Sequence, residues 1–325
     1  MQLRSSELRQ LTYVQPGSEH RSYVSILPNP GLMKPNRVCL RIALALIAAL
    51  AASTPLRAQD ARPSRDKLRV VDSTKIQVIT MRDGSSLVGR IASVGADSVE
   101  FQMGLGRVPI AIRDIREITE TDSGRMHGGQ YWFPNPNSTR LFFAPTGQML
   151  KRGEGYFADY QLFFPGFAFG VTDNISLGGG MSIFPAGLDE QVYYVTPKVG
   201  VSVGEKVHLA AGVLFAGTGG GTGGVYYGVG TLGDGDGSAT LGLGYGFAGG
   251  DIESKPVGML GGEKRVSRRI ALVTENYLLP ISDDNVVYSF GIRFMGEKLT
   301  TDLAIFNLIG SGVIGIPYVD FVFKF

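Results

Sequence analysis

Few side chains in this 325-residue chain have the types and spacing for catalysis. There are three histidines, His20, His127 and His208, and one cysteine, Cys39. Nucleophilic catalysis needs a histidine beside a serine and an orienting partner. No serine motif accompanies His208, so a hydrogen-bonding role is expected for it. So few histidines and a single cysteine offer no metal cage. The glycine run at 217–224 is not followed by the Lys-Ser/Thr pair of a phosphate loop, so no cofactor is expected. The remaining candidates are charged: Arg140, Glu275, Arg293, Asp302, Asp320 and Lys324. They fall on the more polar face of alternating segments and carry both signs. Two readings stay open. Opposite charges stiffen one wall by pairing, or they form a selectivity constriction.

The segments that would position them are strands. Alternation begins at Thr139 and yields about twelve runs: 139–147, 155–171, 174–184, 191–203, 206–217, 224–233, 238–249, 256–264, 269–279, 285–295, 299–308 and 314–325. Most approach the ~10 residues of a tilted transmembrane strand. In 238–249, Ala239, Leu241, Leu243, Tyr245 and Phe247 share one face, and Ser238, Thr240, Gly242, Gly244 and Gly246 share the other. Side chains alternate with period two, so each ribbon has an apolar and a small or polar side. Tight polar turns at 172–174, 204–206, 234–237 and 296–298 alternate with longer connections at 185–191, 217–224, 250–255 and 280–284. Closing the 296–298 turn with Phe294 opposite Leu299 sets Arg293 diagonal to Asp302. The wall formed by 174–249 is lined with Gly, Ser and Ala. That leaves room for a pore, a ligand cavity or a plug drawn from 59–138, or else the glycines only ease strand curvature.

The final strand carries Phe321, Phe323 and Phe325 on one face and Asp320, Val322 and Lys324 on the other. A terminal aromatic strand of this kind resembles the closing strand of bacterial outer-membrane β-barrels, and the resemblance implies recognition by the barrel-insertion machinery. Further phrases resemble an uncharacterised family of such barrels: 135–146, 151–156, 170–176, 274–277, 291–294 and 302–304. That likeness implies architecture and no reaction. The expected fold class is all-β: a transmembrane antiparallel up-and-down barrel of about twelve strands over 139–325, facing outer-membrane lipid. A soluble sandwich would alternate too; the terminal strand and the export signal favour the membrane.

That signal is read at 33–58, where Lys34, Arg37 and Arg41 precede an apolar core at 42–52 and Ala58 offers a cleavage site. Residues 1–32 read as an upstream extension or a mis-assigned start, and Cys39 falls within the removed segment. The linker 59–72 leads to a small module at 73–122, and a second linker, 123–138, contains Tyr131, Trp132 and Phe133. These aromatics suit either a membrane-interface belt or a packed cluster between the two domains.

The module shows runs at 76–81, 87–94, 99–103 and 108–112, with Ile115 and Ile118 beyond. Asp83-Gly84 marks a tight turn. The pattern resembles an Sm-like or SH3-like small five-stranded barrel, a likeness that often implies RNA binding. An exported chain without a dense basic and aromatic surface gives no support for nucleic acid. A net charge of +2 likewise implies no polyanionic partner. A periplasmic spacer or plug is expected, with contact to a periplasmic partner through an open sheet edge as the rival.

The expected function is therefore passive: a narrow pore or ligand-binding conduit in the outer membrane. The alternatives are a closed-lumen barrel that anchors its periplasmic module and, less favoured by the residues present, a lipid-modifying enzyme.

Overall fold

A computed structural model describes residues 67–104, 106–185, 187–188, 190–279, 286–309 and 315–325. The expected signal at 33–58, the upstream residues 1–32, and His20 and Cys39 lie outside the described residues.

The module forms five strands: β1 (Lys75–Met81), β2 (Ser86–Val94), β3 (Ser98–Met103), β4 (Gly106–Ala111) and β5 (Ile115–Asp122). They make one antiparallel sheet in the order β4-β3-β2-β1-β5. Gly84, at φ 87°, permits the β1–β2 turn. The Asp83 carboxylate fastens that turn by accepting from the Ser85 amide at 2.8 Å. Ile79, Ile91, Val99, Phe101, Ile110, Ile115 and Ile118 bury a compact core. Among the described residues no ladder joins β4 to β5, so the sheet keeps two edges.

A two-strand connection follows, β6 (Met126–His127) and β7 (Gln130–Tyr131). The ring of His127 lies 4.3 Å from that of Trp132. Tyr131 and Phe133 are buried in a cluster with Ile76 and Val78 of the module and Ala271 and Met295 of the main domain. Arg265 lies 5.0 Å over the Trp132 ring and 4.8 Å over the Phe133 ring. The aromatic linker is thus a packed joint between the two parts.

The main domain begins with β8 (Gly155–Tyr160), β9 (Phe164–Gly170), β10 (Ile175–Met181), β11 (Tyr193–Val203), β12 (Val207–Thr218) and β13 (Gly221–Asp234). It continues with β14 (Gly237–Ala248), the short β15 (Asp251–Ile252), β16 (Val257–Ser267), β17 (Ile270–Leu278), β18 (Val286–Met295), β19 (Leu299–Leu308) and β20 (Ile316–Lys324). Every long strand is antiparallel to its neighbours, and β20 pairs with β8. β15 only extends the end of β14. The result is a closed barrel of twelve strands, with all internal edges removed.

Its outer face is apolar. Leu241, Leu243, Leu260 and Phe290 are 62%, 59%, 59% and 58% exposed. Such a continuous band would not persist in water, whereas a closed ladder with an apolar outside meets the needs of a bilayer. The chain is a transmembrane β-barrel.

Three sequence expectations change here. The longer connection expected at 217–224 is a two-residue turn, because β12 and β13 pair as far as Thr218 opposite Gly221. Residues 139–147 form no barrel strand; only an isolated bridge joins Arg140 to Pro145. The run 155–171 is instead two strands, β8 and β9. Their turn places Gln161 and Leu162 at φ 56° and 64°. Two successive left-handed residues make a tight hairpin turn without the usual Gly or Asn. Gln161 is held there by Val319: its amide donates to the Val319 carbonyl at 2.9 Å, and its Oε1 accepts from the Val319 amide at 3.1 Å.

Candidate functional site

Residues 133–150 run into the bore and back out as a hairpin. The chain enters beside the β13–β14 turn, where Asn135 Nδ2 donates to the Gly235 carbonyl at 3.0 Å. It turns near Leu141–Pro145 and leaves toward Lys151, whose carbonyl packs against Gly170. Leu141 and Phe142 are fully buried, packed with Ala210, Val229, Met259, Val273, Ala304 and Tyr318 of the wall. Burying two such side chains stabilises the inserted state by about 1.5–3 kcal/mol each.

Small wall residues make the space. A Cβ at Gly261 would lie 2.4 Å from Leu141 Cδ1, and one at Gly200 would lie 2.7 Å from Met149 Sδ. The volume left by missing side chains is filled by the chain itself.

The hairpin presents backbone polar groups to the wall, and charged wall residues answer them. Glu275, fully buried on β17, accepts from three successive amides: Phe142 at 2.8 Å, Phe143 at 3.0 Å and Ala144 at 2.9 Å. Tyr277 Oη donates to the same carboxylate at 2.6 Å. Successive amides pointing at one anion form a nest, strong because the acceptor is charged and water is excluded.

Arg293 on β18 is the opposite case. Its guanidinium donates to both carboxylate oxygens of Asp302 at 2.8 and 2.7 Å, and to Glu263 at 2.6 Å. It also donates to the carbonyls of Asn137 at 2.9 Å and Leu141 at 2.7 Å. Arg140, on the hairpin, pairs with Asp320 at 2.8 Å and with its own turn at the Phe142 carbonyl. Tyr318 Oη donates to Asp320 at 2.7 Å. On the far wall, Lys198 Nζ donates to the carbonyls of Gln148 at 2.7 Å and Thr139 at 3.2 Å. Thr231 Oγ1 accepts from the Gly147 amide at 2.7 Å.

Five of the six charged candidates therefore meet around one inserted segment. Lys324 does not join them; it pairs with Glu154 at 3.0 Å, near the end of the barrel where the chain stops. Arg140 belongs to the hairpin and not to a first strand. Arg293 and Asp302 are directly paired across β18 and β19, not diagonal, because the ladder closes with Met295 opposite Thr300. Glu263, Lys198 and Thr231 were not singled out from sequence. Each lies inward by simple alternation, but only the hairpin gives them a role.

Beyond the hairpin tip the described residues leave open space in the bore. One cavity of about 240 Å³ is lined by Phe143, Tyr156, Tyr160, Phe164, Tyr194 and Leu214. Another, of about 140 Å³, is lined by Pro145, Val225, Tyr227, Val257, Met259 and Tyr277. Leu214 borders both.

At the opposite end, His208 Nδ1 lies 2.8 Å from Ser202 Oγ, and its Nε2 lies 3.2 Å from the Gly233 carbonyl. Both ring nitrogens are engaged, and the second partner is a carbonyl where a nucleophilic triad would place a carboxylate. Phe321, Phe323 and Phe325 point outward, 40%, 47% and 57% exposed.

Comparison with protein-family models returns no match, and comparison with curated proteins returns none either. Among solved structures, the chain is similar to the KdgM porin in complex with disordered oligogalacturonate, at 8% identity and a TM-score of 0.41, over 53% of this chain and 98% of that one. It is similar to the NanC porin at 10% identity and a TM-score of 0.36, over 53% and 97%. It is also similar to a loop-deletion form of OmpT, an outer membrane protein of Vibrio cholerae, at 11% identity and a TM-score of 0.32, over 78% and 97%. At these values the likeness carries no argument about activity. What the closed ladder, apolar exterior and clamped hairpin define is a twelve-stranded transmembrane barrel that holds a segment of itself in its bore.

Proposed function

We propose that this chain is an outer-membrane β-barrel whose bore is shut from the module side by residues 133–150, leaving the other half as a binding chamber. The observation that carries this reading is Glu275 accepting from three consecutive hairpin amides at 2.8, 3.0 and 2.9 Å. A loop that drifted freely in an aqueous pore would satisfy those amides with water. A buried carboxylate aimed at them costs desolvation that only a seated hairpin offsets.

Orientation follows from the two rims. Short turns such as 234–237 and 295–299 lie at the rim beside the module, and the other rim carries the longer connection 248–257 along with tight turns at 160–164 and 218–221. Outer-membrane barrels keep their short turns in the periplasm. The module is then periplasmic, and the edges at β4 and β5 are where a periplasmic partner would add a strand. Phe321, Phe323 and Phe325 serve assembly through the insertion machinery, and the apolar exterior meets outer-membrane lipid. Export would use the segment at 33–58. Neither nucleic acid nor catalysis enters this reading; Ser202–His208 without a carboxylate supports hydrogen bonding only.

The narrow-pore reading needs the same Arg293, Asp302 and Glu275 to line an aqueous path, and all three are committed to the hairpin or to each other. Liposome swelling separates the two. Vesicles holding the wild-type barrel should swell in arabinose no faster than protein-free vesicles. Rapid swelling would favour the pore.

A further inference from the structure

Beneath the aromatic chamber lies a smaller cavity of about 90 Å³ with a mixed lining: Leu150, Ala168 and Leu214 are apolar, while Arg140, Ser176, Thr196 and Lys198 bring polar groups to it. Three of these come together by strand geometry alone. Ser176 and Lys198 are directly opposite on β10 and β11. Thr196 precedes Lys198 by two residues on β11 and so shares its face.

Two cationic side chains at this cavity have donors left over. Lys198 is 7% exposed. An ammonium carries three donors, and two are used on the Gln148 and Thr139 carbonyls. Among the described residues no carboxylate lies within 4.0 Å of it. Arg140 is 4% exposed, and its Nε is buried with no hydrogen-bond partner. Its two terminal nitrogens are spent, one on Asp320 and one on the Phe142 carbonyl, and the guanidinium lies 4.6 Å over the Tyr160 ring, so Nε is the donor left. Arg140 already has its anion in Asp320; Lys198 has none, and a buried cation calls for one. The surrounding hydroxyls of Ser176 and Thr196 add neutral donors suited to the same charge.

This floor shares Tyr156, Thr196 and Leu214 with the 240 Å³ chamber above it. The two together therefore have an anion-binding socket below and aromatic walls above. We infer that the bore binds a small organic carboxylate with an apolar or aromatic body. Its carboxylate sits between Lys198 and Arg140, and its body lies among Tyr160, Tyr194, Phe143 and Leu214. This deepens the closed-bore reading and rests on it, since the hairpin supplies Arg140 and the socket's lower side.

The test is calorimetric titration of the detergent-folded full chain with phenylacetate, benzyl alcohol and bromide, with bilayer recording of the same samples. Phenylacetate should bind one to one. Its affinity should fall about thirtyfold or more in Lys198→Met, the loss expected when one partner of a buried charge pair is removed. Because Lys198 also holds the hairpin, Thr196→Val is the second variant; it removes one cavity hydroxyl and leaves every hairpin contact in place. It should weaken phenylacetate about fivefold. Benzyl alcohol should bind more weakly than phenylacetate and indifferently to both substitutions. No heat with phenylacetate, equal affinity in both variants, or bromide binding as tightly as phenylacetate would overturn the inference. Silent recordings alongside such a result would leave the closed bore standing, whereas open steps would remove the closed bore itself.

Discussion

Replacing Glu275 with alanine strips the acceptor from three consecutive amides at the hairpin tip. The carboxylate meets Phe142, Phe143 and Ala144 at 2.8, 3.0 and 2.9 Å and is itself fully buried. A buried donor left unpaired costs about 1–3 kcal/mol. Phe143 is 50% exposed, toward the chamber, so water can reach its amide and recover part of the loss. Taking the low end for each of the three gives about 3 kcal/mol against the seated hairpin. That corresponds to roughly a hundredfold shift toward an unseated state. Hydrogen exchange reads this directly. The amides of residues 142–144 should exchange about a hundredfold faster in Glu275→Ala, while those of the β18–β19 ladder keep their protection. Glu275→Gln should fall between, because its amide oxygen still accepts although the charge is gone. Unchanged exchange at 142–144 in Glu275→Ala would refute the claim that this carboxylate holds the hairpin.

Arg293→Met should lower barrel stability by about 3–5 kcal/mol, since it leaves Asp302 buried without its cation; urea unfolding followed by gel mobility measures it, and pairing it with Asp302→Leu should recover much of the loss. Phe325→Ser should reduce the assembled fraction in membranes, while Phe290→Ser, outward and nearly as exposed at 58% against 57%, should not; equal effects would mean that outward hydrophobicity alone matters. From the linker, Arg69 donates twice to Glu120 of the module, at 3.0 and 2.9 Å, and holds that carboxyl below its usual range. A lowered folded-state pKa contributes stability above the ordinary carboxylate value and loses it as pH falls through the lowered one. Glu120→Gln should therefore flatten the module's acid sensitivity, seen in exchange of β1 and β5 amides between pH 6 and pH 3, roughly the carboxylate titration range.

Much of this architecture is legible in the residues. The module's strands stand out because Asp83-Gly84 and the glycines near 104–106 punctuate them. The barrel strands from β10 onward stand out because apolar and small residues alternate cleanly. The count of twelve, however, rests on two offsetting misreadings. Residues 139–147 alternate like a strand, yet Leu141 and Phe142 are apolar because they pack inside the bore. The β8–β9 turn is hidden because Gln161 and Leu162 are not turn formers; the bonds of Gln161 to β20 hold the turn in place. The charged wall residues could be found by alternation, but their purpose could not. Their partners are backbone amides and carbonyls of a distant hairpin, and backbone groups leave no mark in composition.

Single-channel recording of the wild-type barrel beside a chain lacking residues 136–149 tests the closed bore most directly. Silence from the full chain and stable ohmic steps from the shortened one are the predicted pair. A steady open current from the intact chain would contradict the account.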